Sequence, residues 1–437
     1  MTDAWESLGI RETEMARGRP TEAARDRLDL PLTLHLVDDE RAVQRPVFDP
    51  ALKHHVSAYR AGDPEFTEPA AREAWLAARR TAMNLVLTAI AASPWRDHLV
   101  LRGSVLLSQW FGEAAREPGD LDFVVTPAQW RIEEERTGAM LHGIAQAAEH
   151  AARQAVGRAA APAAAPHTIR FDAGDAVSED IWTYDRVPGR RLVLPWTSGT
   201  TPGGIVQLDF VFNESLPIPP QEVSVAGARL LGATPELSLA WKLVWIVDDM
   251  YPQGKDLYDA VLLAEHCTVD YETLAAVFIA ADPTNAAHPL QPDITGELPA
   301  TYEWRHFAAE YPHLADQPAE LARRLRTAMA PTFRTASGDP RSLRRRWSAD
   351  WLAAFRADHA TGGLPALLTG LAARGVTAVL AAAVTRELLG PDDCDPATAL
   401  AHVLEHPAWS GLATHHLNRP TYMSRLVEVV ASTDFGA

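Results

Sequence analysis

Apolar residues recur at helical spacing in "AAREAWLAARRTAMNLVLTAIAA", residues 70–92, which predicts one amphipathic helix stopped by the Ser-Pro pair that follows. The period then shortens. "DHLVLRGS" reads as a short buried strand stopped by glycine, "VLLSQWFG" as a helix and "GDLDFVV", residues 119–125, as the next strand. "WRIEEERTGAMLHGIAQAAEHAARQAVGRA", residues 130–159, predicts a long helix that fades into the proline-broken loop "AAPAAAP". Four β-rich segments come next, "HTIRFDA", "IWTYDRV", "RRLVLPWTS" and "GIVQLDFVFN", separated by glycine and proline as in an antiparallel meander. "TPELSLAWKLVWIVDDM" then opens a helix with a Thr cap, Pro at the first helical position and Glu close behind. "GKDLYDAVLLAEH" is a further helix, and from about residue 268 onward the pattern is helical, with no convincing strand. The fold class is α+β, a mixed sheet core flanked by helices, with a helical C-terminal domain.

A length of 437 residues favours two or three domains. The pattern divides them into a charge- and proline-rich N-terminal extension (1–65), a mixed core (66–267) and a helical domain (268–437). At 47% hydrophobic and 22% charged residues the chain has ample material for a core. A formal net charge of −17 argues against a general nucleic-acid coat protein but leaves room for a local basic site. Two distant cysteines, Cys267 and Cys394, exclude a disulfide framework and a Cys-based zinc module. The charged N-terminus has no apolar core of the secretory kind, and no apolar run reaches the ~18 residues of a membrane span. The expectation is a cytoplasmic protein.

Against this background Asp120 and Asp122 stand out. They lie two apart in an apolar strand, so strand alternation puts both on one face, and Leu121 and Phe123 on the other. Two adjacent carboxylates repel unless a cation neutralises them, and a hard divalent ion with oxygen ligands would do so. For a bare Asp-x-Asp a solvated strand face is the commoner explanation, and the context is what shifts the balance. The Gly103-Ser104 pair ends the preceding strand and opens a helix, where free backbone N–H groups and a hydroxyl suit a phosphate. Asp209 is a third acid in an apolar strand, "IVQLDFVF", so three carboxylates and a phosphate turn fit a two-metal phosphoryl-transfer site. Lys242 sits in a helix apolar nearly all round, where its ammonium needs a phosphate or an aspartate, or snorkels at the core edge. Asp256 and Asp259 are three apart in "KDLYD", which by itself is an ordinary solvated helix face.

The ordered set "VLRGSVLL", Arg116, "DLDFVV", "IVQLDFVF", "PELSLAWKLVWIV" and "KDLYD", spanning about residues 70–265, resembles the AbiEii family. These are nucleotidyltransferases of the DNA polymerase β-like superfamily and toxins of type IV toxin–antitoxin systems. The resemblance implies a nucleotidyltransferase-type sheet and NTP as substrate. It implies that Asp120, Asp122 and Asp209 bind Mg²⁺ or Mn²⁺, that Gly103 and Ser104 hold the triphosphate, and that Arg116 and Lys242 contact the nucleotide. Asp256 would be the acid of the last motif, a general base, and Asp259 a positioning group. The sequence departs from the family pattern at Arg102 and Pro118, where glycine and serine are usual, and at Lys255, where arginine is usual.

The resemblance further implies a tRNA or other RNA acceptor, modified at its 3′ end, and a cognate antitoxin as partner. In the tail, arginines gather at 323, 324, 326, 334, 341, 344, 345 and 346 with only Asp339 opposing. Arg341, Arg344, Arg345 and Arg346 are RNA-binding candidates, with Trp347 to stack on a base; a solvated helix face pairing with acids elsewhere explains them equally well. Two rival readings are transfer to a small molecule or protein, and an inactive nucleotide- or RNA-binding module.

Overall fold

The structure is a computed structural model that describes residues 17–158, 168–183, 187–199, 201–248, 253–292, 318–335, 339–411 and 420–436, with isolated positions between 304 and 312. The "AAPAAAP" loop lies outside the described residues. The chain forms two compact units, Met1–Thr234 and Pro235–Ala437, taken in turn below.

The first unit opens with an extension of short elements: helix α1 (Glu22–Leu28) and strands β1 (Ala42–Val43), β2 (Pro46–Phe48), β3 (Tyr59–Ala61) and β4 (Glu65–Phe66). β1 pairs with β4 and β2 with β3, both antiparallel. Helix α2 (Pro69–Ala91) follows, then β5 (Leu99–Arg102), α3 (Ser104–Phe111), β6 (Leu121–Val125) and α4 (Glu135–Arg158). The meander is β7 (Ile169–Phe171), β8 (Val177–Thr183), β9 (Val187–Ser198) and β10 (Gly204–Val211), with a hairpin, β11 (Gln221–Val225) and β12 (Ala228–Gly232), closing the unit.

Eight of these strands form one mixed sheet in the order β11-β12-β5-β6-β10-β9-β7, with β8 also on β9. β6 and β10 run parallel, whereas β5–β6 and β9–β10 are antiparallel. The apolar runs explain the sheet's centre. Leu99, Val100, Leu101, Leu121, Phe123 and Phe210 are fully buried, and Phe123 stacks on Phe210 at 5.7 Å between ring centroids. Helices α2 and α4 pack on each other, and α2 packs against β10 and β12. The extension is fastened to this unit by Leu52 and Ala58, which form a buried cluster with Ile181 of β8.

Some sequence-derived limits shift, and one hairpin is new. The long helix starts at Glu135, five residues later than the pattern implied, because Glu134 accepts the Arg131 N–H and Trp130 donates its indole N–H to Thr137. The β11–β12 hairpin is an addition that the sequence reading lacked. Asp120 lies just ahead of β6, not within it.

The second unit is helical, with no strand among the described residues. α5 (Pro235–Asp248), α6 (Gly254–His266) and α7 (Tyr271–Ala281) lead to α8 (Pro318–Thr335) and α9 (Pro340–Ala373). α10 (Ala378–Leu389), α11 (Pro396–Glu405) and α12 (Pro420–Ser432) complete it. α6 packs on α5 and α8, and α7 on α5 and α9. Among the described residues no helix is long and apolar enough to cross a membrane.

Candidate active site

A row of charged residues crosses the middle of the sheet. Arg102 on β5 is the direct partner of Asp122 on β6, Asp122 of Asp209 on β10, and Asp209 of Arg191 on β9. Residues paired directly across strands share a face, so two aspartates lie side by side between two arginines. Each arginine also reaches an outer acid. Arg102 donates to Glu214 at 2.8 Å, and Arg191 donates to Asp49 of the extension at 2.7 Å.

Arg191 grips Asp209 at both oxygens, with Nε to Oδ1 and Nη2 to Oδ2 at 2.8 Å each, and Gln207 adds a bond at 3.1 Å. The Asp209 and Arg191 side chains are only 12% and 3% exposed. Burial pushes the Asp209 carboxyl up, Arg191 opposes that, and the charge of Asp120 raises it further. Burial works against the Arg191 charge, but Asp209 and Asp49 outweigh it and hold the guanidinium firmly protonated. Glu214 is likewise pushed up by burial against the pull of Arg102. The lone acid of an apolar strand therefore has a cationic partner, which the sequence reading missed. Hairpin register is the signal that reveals it: β9 and β10 pair antiparallel across a short connection, which fixes Arg191 opposite Asp209.

The turn between β5 and α3 meets this row. Gly103 has φ 81° and ψ −156°, a conformation that is essentially glycine's alone. A Cβ there would also collide with Oδ2 of Asp122. The backbone at the helix start and the Asp122 carboxylate are thus in immediate contact. The Ser104 hydroxyl is buried without a hydrogen-bond partner, an orphan that a ligand oxygen would satisfy. A cradle that only glycine can line, an unsatisfied hydroxyl at a helix N-terminus and neighbouring carboxylates together fit a metal-bound phosphate. Arg116 lies half-buried in the loop leading to Asp120.

In the second unit Lys242 is 5% exposed and bonds Asp256 at 2.8 Å and Asp259 at 3.0 Å. Its ammonium also lies 4.4 Å from the Trp245 ring centroid. Asp256 and Asp259 are therefore no solvated face. Both are buried, at 6% and 1% exposure, and one lysine stands between two carboxylates.

The arginine-rich tail is engaged within its own unit. Arg323 pairs with Glu320, Arg324 with Glu265, Arg344 with Asp434 and Arg346 with Glu272, while Arg345 donates to the carbonyl of Gly436. Trp347 is a correction to the sequence reading. It is 2% exposed, donates its indole N–H to Asn285 and packs on Tyr271 and Phe278, so it is a core residue that no base can stack on.

One further cluster, His54, His55 and Glu179, brings three potential ligand atoms within 4.8 Å of one another. Both oxygens of Glu179 are already engaged, by the N–H groups of Leu32 and Thr33, the Thr33 hydroxyl and His55. Those bonds tie the extension to β8, which is the plainer account of the cluster.

The family model of the nucleotidyl transferase AbiEii toxin, type IV toxin–antitoxin system, matches residues 85–357, well over half of the chain. The chain belongs to the AbiEii family of nucleotidyltransferases. The match of this AbiEii-family enzyme begins inside α2 and ends within α9, so it takes in the charged row, the lysine–aspartate trio and the arginine run. It carries the likeness about a hundred residues beyond the last motif read in the sequence, into helices that had gained little from it. The extension that supplies Asp49 lies outside it. Among curated proteins none matches the chain.

Proposed function

We propose that this AbiEii-family enzyme transfers a nucleoside monophosphate from an NTP to an RNA acceptor, with Asp120 and Asp122 as the metal-binding carboxylates. The observation that carries this is the contact of the glycine-only turn at Gly103 with the Asp122 carboxylate, beside a buried hydroxyl of Ser104 that has no partner. In this reading the N–H groups at the start of α3 and the Ser104 hydroxyl bind the triphosphate. Asp209 is the third carboxylate of the site, and Arg116 lies on the same loop as Asp120. Bound Mg²⁺ or Mn²⁺ would neutralise the paired carboxylates and stabilise charge developing at the α-phosphate. Lys242, Asp256 and Asp259 supply a nucleotide contact, a general base and a positioning group in the family-derived assignment.

The RNA acceptor, tRNA first, and an antitoxin partner follow from the family's toxin role. Arg341, Arg344, Arg345 and Arg346 give the RNA reading less support, because three of the four already have intramolecular partners. One observation favours a second reading. The two-point grip of Arg191 on Asp209 would suit a protein that binds nucleotide without turnover. Incubation with each labelled NTP, Mg²⁺ and total RNA separates these readings. Label in RNA that is lost in Asp122→Asn supports the proposal, label in a protein or small molecule changes the acceptor, and nucleotide binding without transfer gives the second reading.

A further inference from the structure

The N-terminal extension lies outside the family-matched residues, yet it reaches into the charged row. Asp49 is 8% exposed and accepts a 2.7 Å hydrogen bond from Nη1 of Arg191, the guanidinium whose other edge holds both oxygens of Asp209. Its position is built, not incidental. Asp49 caps a short 3₁₀ turn, Pro50–Leu52, by accepting the Ala51 N–H, and its own N–H bonds the Ala58 carbonyl at 2.9 Å. The same turn packs on β8, with Leu52 and Ala58 buried against Ile181.

We propose that Asp49 is a positioning residue for the metal site: by sharing Arg191 with Asp209, it keeps Asp209 available to a divalent cation. This rests on the reading of Asp120, Asp122 and Asp209 as metal carboxylates. With Arg191 alone, Asp209 sits in a neutral, fully hydrogen-bonded pair, and a cation must compete with the guanidinium for the same two oxygens. Pulling Asp209 toward the cation would then strand a buried arginine, a cost that exceeds any gain from a single new contact. Asp49 removes that obstacle. The guanidinium keeps a charged partner when Asp209 turns away, and the trio of Asp49, Arg191 and Asp209 retains a net negative charge that attracts the cation. Glu214 stands in the mirrored place beside Arg102 on the other side of the row, so each arginine flanking the central aspartates pairs with an outer acid.

Mn²⁺ binding to the full chain without nucleotide, followed by the loss of the free-ion paramagnetic resonance signal, tests this together with thermal melting. Asp49→Asn and Asp49→Ser both retain a side chain able to cap the 3₁₀ turn while withdrawing the charge from Arg191. Each is expected to weaken Mn²⁺ binding by about threefold or more, since a full charge is lost at a poorly solvated separation from the site. Asp63→Asn cuts a different anchor of the extension, the 2.6 Å pair with Arg79, and should leave Mn²⁺ affinity unchanged. Wild-type affinity in both Asp49 variants, while Asp122→Asn loses the ion, overturns the role of Asp49 alone. An equal loss in Asp63→Asn also overturns it, because general loosening of the extension would then suffice. If the wild-type chain binds no Mn²⁺, or Asp122→Asn binds it as wild type does, the metal reading itself falls and takes the inference with it.

Discussion

Lys242 is the residue whose surroundings make the firmest demand. Its helix is buried nearly all round, and the ammonium sits between Asp256 and Asp259 at 2.8 and 3.0 Å. Lys242→Met keeps the packing volume but leaves two buried carboxylates facing each other. The expected loss is about 3–5 kcal/mol, the usual effect of removing one partner from a buried ion pair, and urea unfolding monitored by far-ultraviolet circular dichroism measures it. A mutant as stable as wild type would mean that the trio does not hold the fold. At Gly103 the constraint is conformational. Gly103→Ala meets both a glycine-only φ and the Asp122 carboxylate, so it should cost about 1–3 kcal/mol and abolish nucleotide transfer; transfer at the wild-type rate would count against the turn as a phosphate cradle. Asp122 and Asp209 were legible in the sequence because a charge inside an apolar strand has few explanations. Arg191 and Asp49 were not, since a guanidinium within a strand is informative only once the strand's neighbour is known. Asp49 also lies in a segment with no period at all.

Among the elements, those with a strong period emerged where the pattern put them: α2, β5, α3, β9, β10 and α5 with its Thr-Pro start, whereas β8 begins four residues ahead of the segment read for it and pairs, like β7, with β9. The β11–β12 hairpin escaped because its turn is Ala226-Gly227, both at positive φ, and not one of the Asn-Gly or Asp-Gly pairs that announce a two-residue hairpin. In the N-terminal extension, order comes from side chains docking on the sheet, a long-range effect with no local signature. Glu179 of β8 holds Leu32 and Thr33, and His55 bridges Glu179 and Asp29. His35 of the same segment accepts from Arg19, and burial, with Arg19 adding, lowers its pKa from 6.5 to about 4. Between those values the unfolded chain binds the proton more readily than the folded one. The contribution of His35 is therefore intact above about pH 6.5 and is lost as pH falls toward about 4. His35→Gln, which can still accept from Arg19, should flatten the fall of melting temperature across that window. An unchanged slope would assign the acid sensitivity to other groups.

Across the whole molecule, the family match spans both compact units, whereas the sequence motifs alone ended at "KDLYD". As far as residue 357 the helices beyond are covered by the family match, although no motif was read in them. Their arginines look like a polyanion site in sequence and act as surface ties in the fold. Replacing Arg344, Arg345 and Arg346 with Gln should lower stability by roughly 1–2 kcal/mol in total, as partly exposed pairs contribute little each. The deficit should shrink in high salt, which melts at two ionic strengths would read; a salt-independent deficit would point to packing instead of charge. The central claim is that the acids of the sheet drive nucleotidyl transfer, and the position of the label in the NTP tests it most directly. With Mg²⁺ and RNA, α-phosphate label should enter the acceptor while γ-phosphate label leaves as pyrophosphate, and Asp122→Asn should abolish both. Transfer of the γ-label, or α-label transfer undiminished in Asp122→Asn, would contradict the account.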